Sequence, residues 1–338
     1  MVFNRRGFLA VALVVGLSSS TAFAKGGTNA DLGMLPVDSE LVLGLNFQQL
    51  QASSLWKQFV QPMLMQGDAQ KKLTEFNAMC GFNPLTTVKT MTIGMKGLDD
   101  TGGKKPEGVI VAHGMDKTKL IACIDKVKAS AKKGGDDITR DGDTFTVKSK
   151  DGETVMFAFS DATTAVIVVG AKATKDGLKT AMKGGSKLAT SPAFLDMYRK
   201  TNTSDTIWML VNGNSSAFNK LGAMGMKPKA VFGSINITKD LTAAMRLRLA
   251  SADEAKSMQK QLAPIVQQAG AMFDKLNVTT EAADLKISIS LSNQKLMALI
   301  KMMAGSMGGM GGASPPPGGA NTAPTPAPPP PAPPAKRP

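Results

Sequence analysis

Histidine is almost missing from this 338-residue chain, in which His113 stands alone. A Ser-His-Asp or Cys-His triad has to use that one residue, and a metal site has to form without a second imidazole. His113 ends a predicted strand, before Gly114, with no cysteine at ligand spacing and no orienting partner nearby in sequence. It reads as a solvent-facing strand-end residue rather than a general base. Other catalytic motifs are absent too. There is no G-x-S-x-G, and Gly233-Ser234 falls inside a predicted strand. Gly26-Gly27, Gly134-Gly135 and Gly184-Gly185 lack the Lys-Ser/Thr that a phosphate loop needs. One Tyr and two Trp are too few for base-stacking platforms, so no specific nucleic acid is expected as partner. These absences point away from an enzyme and from a bound cofactor.

What is present begins with an address. Arg5 and Arg6 make a positive head, and Phe8 to Leu17 an apolar core. That core is shorter than the ~20 apolar residues of a stable span, so no transmembrane anchor is expected after processing. Ala22-Phe23-Ala24 places small residues where a signal peptidase reads them, predicting cleavage between Ala24 and Lys25. Residues 1–24 therefore read as a signal peptide, and the protein as periplasmic or extracellular. Asn4-Arg5-Arg6-Gly7-Phe8-Leu9 is similar to a twin-arginine signal, and both that route and the general one stay open. The formal net charge is +14, and losing Arg5 and Arg6 with a segment that holds no acid leaves +12. Such a chain meets anionic surfaces in the cell envelope. Its densest lysines, Lys104-Lys105, Lys132-Lys133 and Lys227/Lys229, sit in predicted loops and read as a solvated surface.

The chain ends in low complexity. Twelve of 19 prolines fall at or after Pro315, and Pro328 to Pro331 is a continuous run. Proline removes donors and fixes φ, so residues 305–338 read as a disordered Gly/Pro-rich tail. Between tail and leader the pattern is α+β. Strands are predicted at 40–47, 87–95, 108–113, 144–148, 154–159 and 164–169, with helices at 55–65, 69–79, 117–133 and 175–182. Asp151-Gly152 is a hairpin signal. A second series has strands at 206–211, 230–237, 241–249 and 285–291 and helices at 192–199, 216–224, 253–275 and 294–303. Ser251 and Glu254 form a capping box for the long helix, which Pro264 should bend. Both series follow the order β-α-β-β-α-β, the ferredoxin-like succession. The expectation is two related modules, 28–185 and 186–304, that share an antiparallel sheet.

Leu35-Pro36-Val37-Asp38-Ser39-Glu40 before a strand, Trp56 on a helix, and Gly81-Phe82-Asn83-Pro84 before another strand carry a resemblance. Over most of residues 34–300 the chain resembles a loose class of uncharacterised exported bacterial proteins. That resemblance implies a duplicated α+β fold, no known activity and no transferable functional residue.

Candidate sites are few. Cys80 closes a predicted helix before Gly81, and Cys123 lies on a helix face with Leu120, Ile124 and Val127. In an oxidising compartment they can pair; otherwise they are core thiols. Asp136, Asp137, Asp141 and Asp143 cluster without the EF-hand order, and Asp141-Gly142 reads as a turn. Methionine is enriched, at 22 residues. Met302, Met303, Met307 and Met310 offer soft thioethers suited to Cu(I). Met63, Met258 and Met272 read as core filler. The leading expectation is a non-enzymatic envelope protein acting by binding or as a structural part. Its alternative is a carrier of an apolar ligand on a concave sheet under Met-rich helices, and an enzyme comes third. A flat lysine-rich surface favours the first, an open apolar space the second, and acids gathered around His113 the third.

Overall fold

A computed structural model describes residues 29–98, 105–130, 137–213, 215, 218 and 227–308. The expected signal peptide, with Arg5, Arg6, Ala24 and Lys25, lies outside them, as do Asp136, Met310 and residues 309–338. In chain order the elements are α1 (Asn29–Met34), β1 (Leu41–Asn46), α2 (Phe47–Ala52), a π-helical turn (Trp56–Val60), α3 (Gln61–Leu64) and α4 (Gly67–Cys80). Next come β2 (Thr90–Lys96), β3 (Glu107–His113), α5 (Lys117–Ser130), β4 (Asp137–Asp141), β5 (Thr144–Lys148), β6 (Thr154–Phe159), β7 (Thr164–Val169) and α6 (Lys175–Lys183). The remainder is α7 (Pro192–Arg199), β8 (Ile207–Asn212), β9 (Ala230–Ile237), β10 (Leu241–Arg248), α8 (Ala252–Ala269), β11 (Lys275–Glu281), β12 (Asp284–Leu291) and α9 (Asn293–Gly308). The chain divides at Ala298 into two compact units. Residues 298–308, the only part of the second unit described, are helical, so a tail boundary at 305 falls inside α9.

All twelve strands form one antiparallel sheet, in the order β11-β12-β10-β9-β8-β1-β2-β3-β7-β6-β5-β4. The fold is thus α+β with a continuous sheet, and its pairing is not ferredoxin-like. In the ferredoxin-like arrangement, strands joined through a helix lie parallel with a third strand between them. Here β1 and β2, joined by the helical stretch 47–80, are antiparallel neighbours, with Leu43 opposite Ile93. The long connection starts and ends on the same edge of the growing sheet, so it acts as a decorated hairpin rather than a crossover. The helix α5 is followed by four strands that run back until β7 pairs β3.

Local chemistry explains the elements. The strands β6 (TVMFAF) and β7 (TAVIVV) are almost wholly apolar because helices cover both of their faces. Gly152 takes φ +75° at the predicted Asp-Gly turn, a conformation that favours glycine. The long helix α8 starts at Ser251, whose hydroxyl accepts from the Glu254 N–H, while the Glu254 carboxylate accepts from Ala250 N–H at 2.9 Å. Pro264 does not end it, but the helix stops at Ala269, before the expected limit of 275, and Lys275 already belongs to β11.

Two cores flank the sheet. One face carries Phe145, Phe157, Ala165 and Ile167 under α5, whose Leu120, Cys123 and Ile124 are buried. The other carries Val42, Val111, Val166, Trp208 and Phe232 under α1, α6 and α7. Trp208 fits because Gly44 lies opposite it on β1: a Cβ there would stand 1.9 Å from the indole Nε1. Cys80, at the end of α4, is bonded to Cys123 on α5.

Candidate functional site

Side chains alternate across a strand, so the register fixes which residues share a face. One transverse row runs Ile110, Ile93, Leu43, Met209, Gly233, Met245 and Ile287, from β3 to β12, each opposite the next. Every side chain in it is apolar. Adjacent strands stand ~4.8 Å apart, so the row is about 29 Å wide. Its burial is unusual. Its six side chains are half-buried, with Gly233 buried among them, whereas on the opposite face of β1, β8 and β9 Val42, Trp208, Leu210 and Phe232 are at most 2 % exposed.

Two groups of helices on this face, α4 with α5 and α8, sit towards the sides of the row. Phe76 and Cys80 of α4 pack with α5, Met91 and Ile110. At the other side α8 lies along β11 and β12, where Gln259 Nε2 donates to the Val278 carbonyl at 2.9 Å. Only Ala255 of α8 is fully buried, and Met258, Leu262 and Val266 are half-buried. Two methionines expected in the core are on the surface: Met63 is 73 % and Met272 46 % exposed. They lie at a helix end and in the turn after α8, where no facing layer covers them.

A sheet face left to water normally becomes polar. This protein follows that rule on the reverse side of its outer strands, where Thr242 and Thr279 are exposed. The apolar row departs from it. A wide apolar surface that stays partly open is the usual ground of an apolar binding site.

The second constellation is His113. It is not a bare surface residue as expected, because α1 brings Asp31 against it from 82 residues away. His113 Nε2 lies 3.0 Å from both Asp31 carboxylate oxygens, and Nδ1 lies 3.1 Å from Thr164 Oγ1. Asp31 is 2 % exposed and also accepts from Thr92 Oγ1 at 2.8 Å. Asp161 caps the turn before β7, accepting from the Thr163 and Thr164 N–H groups, and so places Thr164. The three groups have the identity of a Thr-His-Asp relay. However, Thr164 is only 5 % exposed, so its hydroxyl has little access to a substrate. Nothing local in sequence marks Asp31; only the sheet register and the α1 contact reveal it.

Burial would lower the His113 pKa, but the hydrogen bond and charge of Asp31, with the charge of Asp161, outweigh that and hold it above its ordinary value. A raised pKa means that folding favours the protonated ring. The stabilisation is complete below the unfolded-state value of about 6.5 and is lost as pH rises through the folded-state one. The thermal midpoint should therefore fall between pH 6 and pH 9 more steeply in the native protein than in His113→Gln. Parallel curves from differential scanning fluorimetry would remove His113 as the cause.

The remaining sequence candidates do not converge. Asp141 pairs with Lys175 at 2.6 Å and Asp143 with Lys117 at 2.8 Å. Among the described residues no group of three or more His, Cys, Asp or Glu could hold a metal ion. Met302 is exposed on α9, while the side chains of Met303 and Met307 fall outside the described set. No described helix is long and apolar enough to cross a membrane. Compared with family models, curated proteins and solved structures, the chain matches none.

Proposed function

We propose that this is an exported, non-enzymatic protein that binds an apolar, acyl-chain-bearing ligand on the half-open face of its sheet. The observation that carries the reading is the row Ile93–Leu43–Met209–Met245–Ile287: apolar and partly open, interrupted by Gly233 between the two methionines, with the reverse side closed behind β2, β1, β8 and β9. Methionine suits such a surface, since its unbranched thioether adapts to chains of varied shape. Export is supported by the Arg5-Arg6 head, the Ala22-Phe23-Ala24 ending and the Cys80–Cys123 bond, which persists in oxidising compartments. We further read the two flanks of the β1–β8 pair as related modules. The succession β1-β2-β3-β7-β6 on one side is answered by β8-β9-β10-β12-β11 on the other, each with its helix before the final hairpin.

The test is fluorescence of cis-parinaric acid added to delipidated mature protein. Saturable binding is expected, and Met209→Asp, which places a charge in the middle of the row, should weaken it at least tenfold. That is about 1.4 kcal/mol. Thr242→Asp on the polar reverse side should leave the affinity unchanged and serves as the control for folding. Absence of binding, or equal loss in both variants, would remove the proposal.

A further inference from the structure

The helical stretch between β1 and β2 is sparsely buried. In α3 and α4, 18 residues together, none is fully buried. The C-terminal end of α4 is fixed: Cys80 is bonded to α5, and Phe76 packs edge-on against Phe82 at 5.1 Å. Its other end is not. Fourteen residues at 1.5 Å each carry the N-terminus of α4 about 20 Å from that anchor. There the chain reverses through Met65, Gln66 and Gly67, with Gly67 at φ +58°, in the region open to glycine.

The tip of this helical hairpin is apolar. From Gln58 to Gly67 no residue is charged, and the sequence is QFVQPMLMQG. Met63 is 73 % exposed and Met65 54 % exposed, with Pro62 exposed beside them. Three lysines flank the tip, Lys57 before it and Lys71 and Lys72 one turn into α4, against one acid, Asp68, all exposed. Apolar side chains at a projecting turn, bordered by lysines, are the arrangement that inserts shallowly into a headgroup layer.

We propose that the Pro62–Gly67 tip is the surface by which the protein touches an anionic phospholipid bilayer. The alternative occupant, a second copy of the chain, is disfavoured on two counts. A stable dimer needs about 800 Å² from each partner, and a tip of three apolar side chains does not approach that. Pairing two copies also opposes one mature chain of net charge +12 to another, whereas phosphate headgroups complement it. The inference rests on the apolar-ligand reading only in giving the contact a purpose, namely exchange of an acyl chain between bilayer and sheet; the contact itself is measured separately.

The experiment is flotation of the full mature chain with vesicles of phosphatidylglycerol and phosphatidylethanolamine, and with vesicles of phosphatidylcholine alone. Recovery with the anionic vesicles is expected, falling as salt is raised. The exposed double substitution Met63→Asp/Met65→Asp should lower the bound fraction at least tenfold, with cis-parinaric acid affinity unchanged within twofold. No flotation of the native chain at low salt, or equal flotation of the variant, overturns the inference. A native dimer that the double substitution converts to monomer also overturns it, by placing a second copy on the tip. Loss of probe binding with vesicle binding intact would instead strike the ligand reading alone.

Discussion

Asp284→Ala lowers the unfolding free energy by about 3 kcal/mol, because it strands cations that the fold has already removed from water. Asp284 is 2 % exposed on β12. Arg248 grips it bidentately, Nε to Oδ1 at 2.7 Å and Nη2 to Oδ2 at 3.0 Å, and Lys200 stands 3.5 Å away. Arg248 also meets Asp196 of α7 at 2.8 Å and lies 5.0 Å over the Phe232 ring. The carboxylate thus ties α7 to the β10–β12 pair. Arg246 stands 3.1 Å from Glu281 but off hydrogen-bond geometry, so its Nη1 depends on charge alone. Losing one partner of such a cluster costs more than the pair contributes, since the cations stay half-buried without it. The loss sits at the low end because Asp196 keeps Arg248. Urea unfolding checks the figure, and the double variant Asp284→Ala/Arg248→Met should recover part of it. If the double variant is no more stable than the single one, stranded charge is not the cause. Burial pushes the Asp284 carboxyl up, but the hydrogen bond and charge of Arg248, then Lys200, hold it below the ordinary carboxylate value. Its contribution is therefore present above pH about 3.9 and is lost as pH falls through the lower folded-state value.

The strands that sequence patterns reveal are those with buried faces. Runs such as Val155–Phe159 and Ala165–Val168 announce themselves because both sides are covered. The two edge strands escape the same reading. The strand β4 is D-I-T-R-D and β11 is K-L-N-V-T-T-E, and each pairs on one side only. Charged and polar residues protect such edges from pairing with other chains, which erases the apolar signal. Missing β11 also let α8 run too far in the sequence reading. Pairing was less legible than the elements themselves. The contact of β3 with β7 closes over 51 residues between His113 and Thr164, and no local pattern encodes which strand returns to which edge.

The site was half legible for a related reason. The apolar runs of β1 and β8 put apolar residues on both faces, but only the placement of the helices decides which face closes. The same holds for methionine: Met63 and Met258 look alike in sequence, yet one projects at a hairpin tip and the other lies half-buried on α8. His113 was visible and its partner was not. Asp31 lies on a six-residue helix too short to show periodicity, and the histidine reads as solitary until α1 docks.

Reducing the Cys80–Cys123 bond, or replacing both residues by serine, should cost about 4 kcal/mol in the chain-entropy account for a loop of this length. The bond spans a sequence separation of 43 and joins the end of α4 to the middle of α5. Its local effect should exceed its global one. Along α4 no residue is fully buried, so Phe76 and the bonded Cys80 are what hold the helix to the first core. On the far side of the sheet, β9, β10 and β12 pair through complete registers that owe nothing to this link. Hydrogen exchange in the Cys80→Ser/Cys123→Ser variant should therefore accelerate most in residues 67–80 and their neighbours in α5, while β9 to β12 change only as the global stability falls. Thiol labelling of the denatured, unreduced mature protein should find no free cysteine. Uniform acceleration across the sheet would mean that the bond supports the whole fold rather than the hairpin. Unchanged exchange in α4 would mean that Phe76 alone suffices to hold it. If α4 does loosen, the tip at Met63 and Met65 loses its fixed projection. The serine variant should then bind anionic vesicles more weakly while keeping its affinity for cis-parinaric acid, since Leu43, Met209 and Met245 stay in place on their strands.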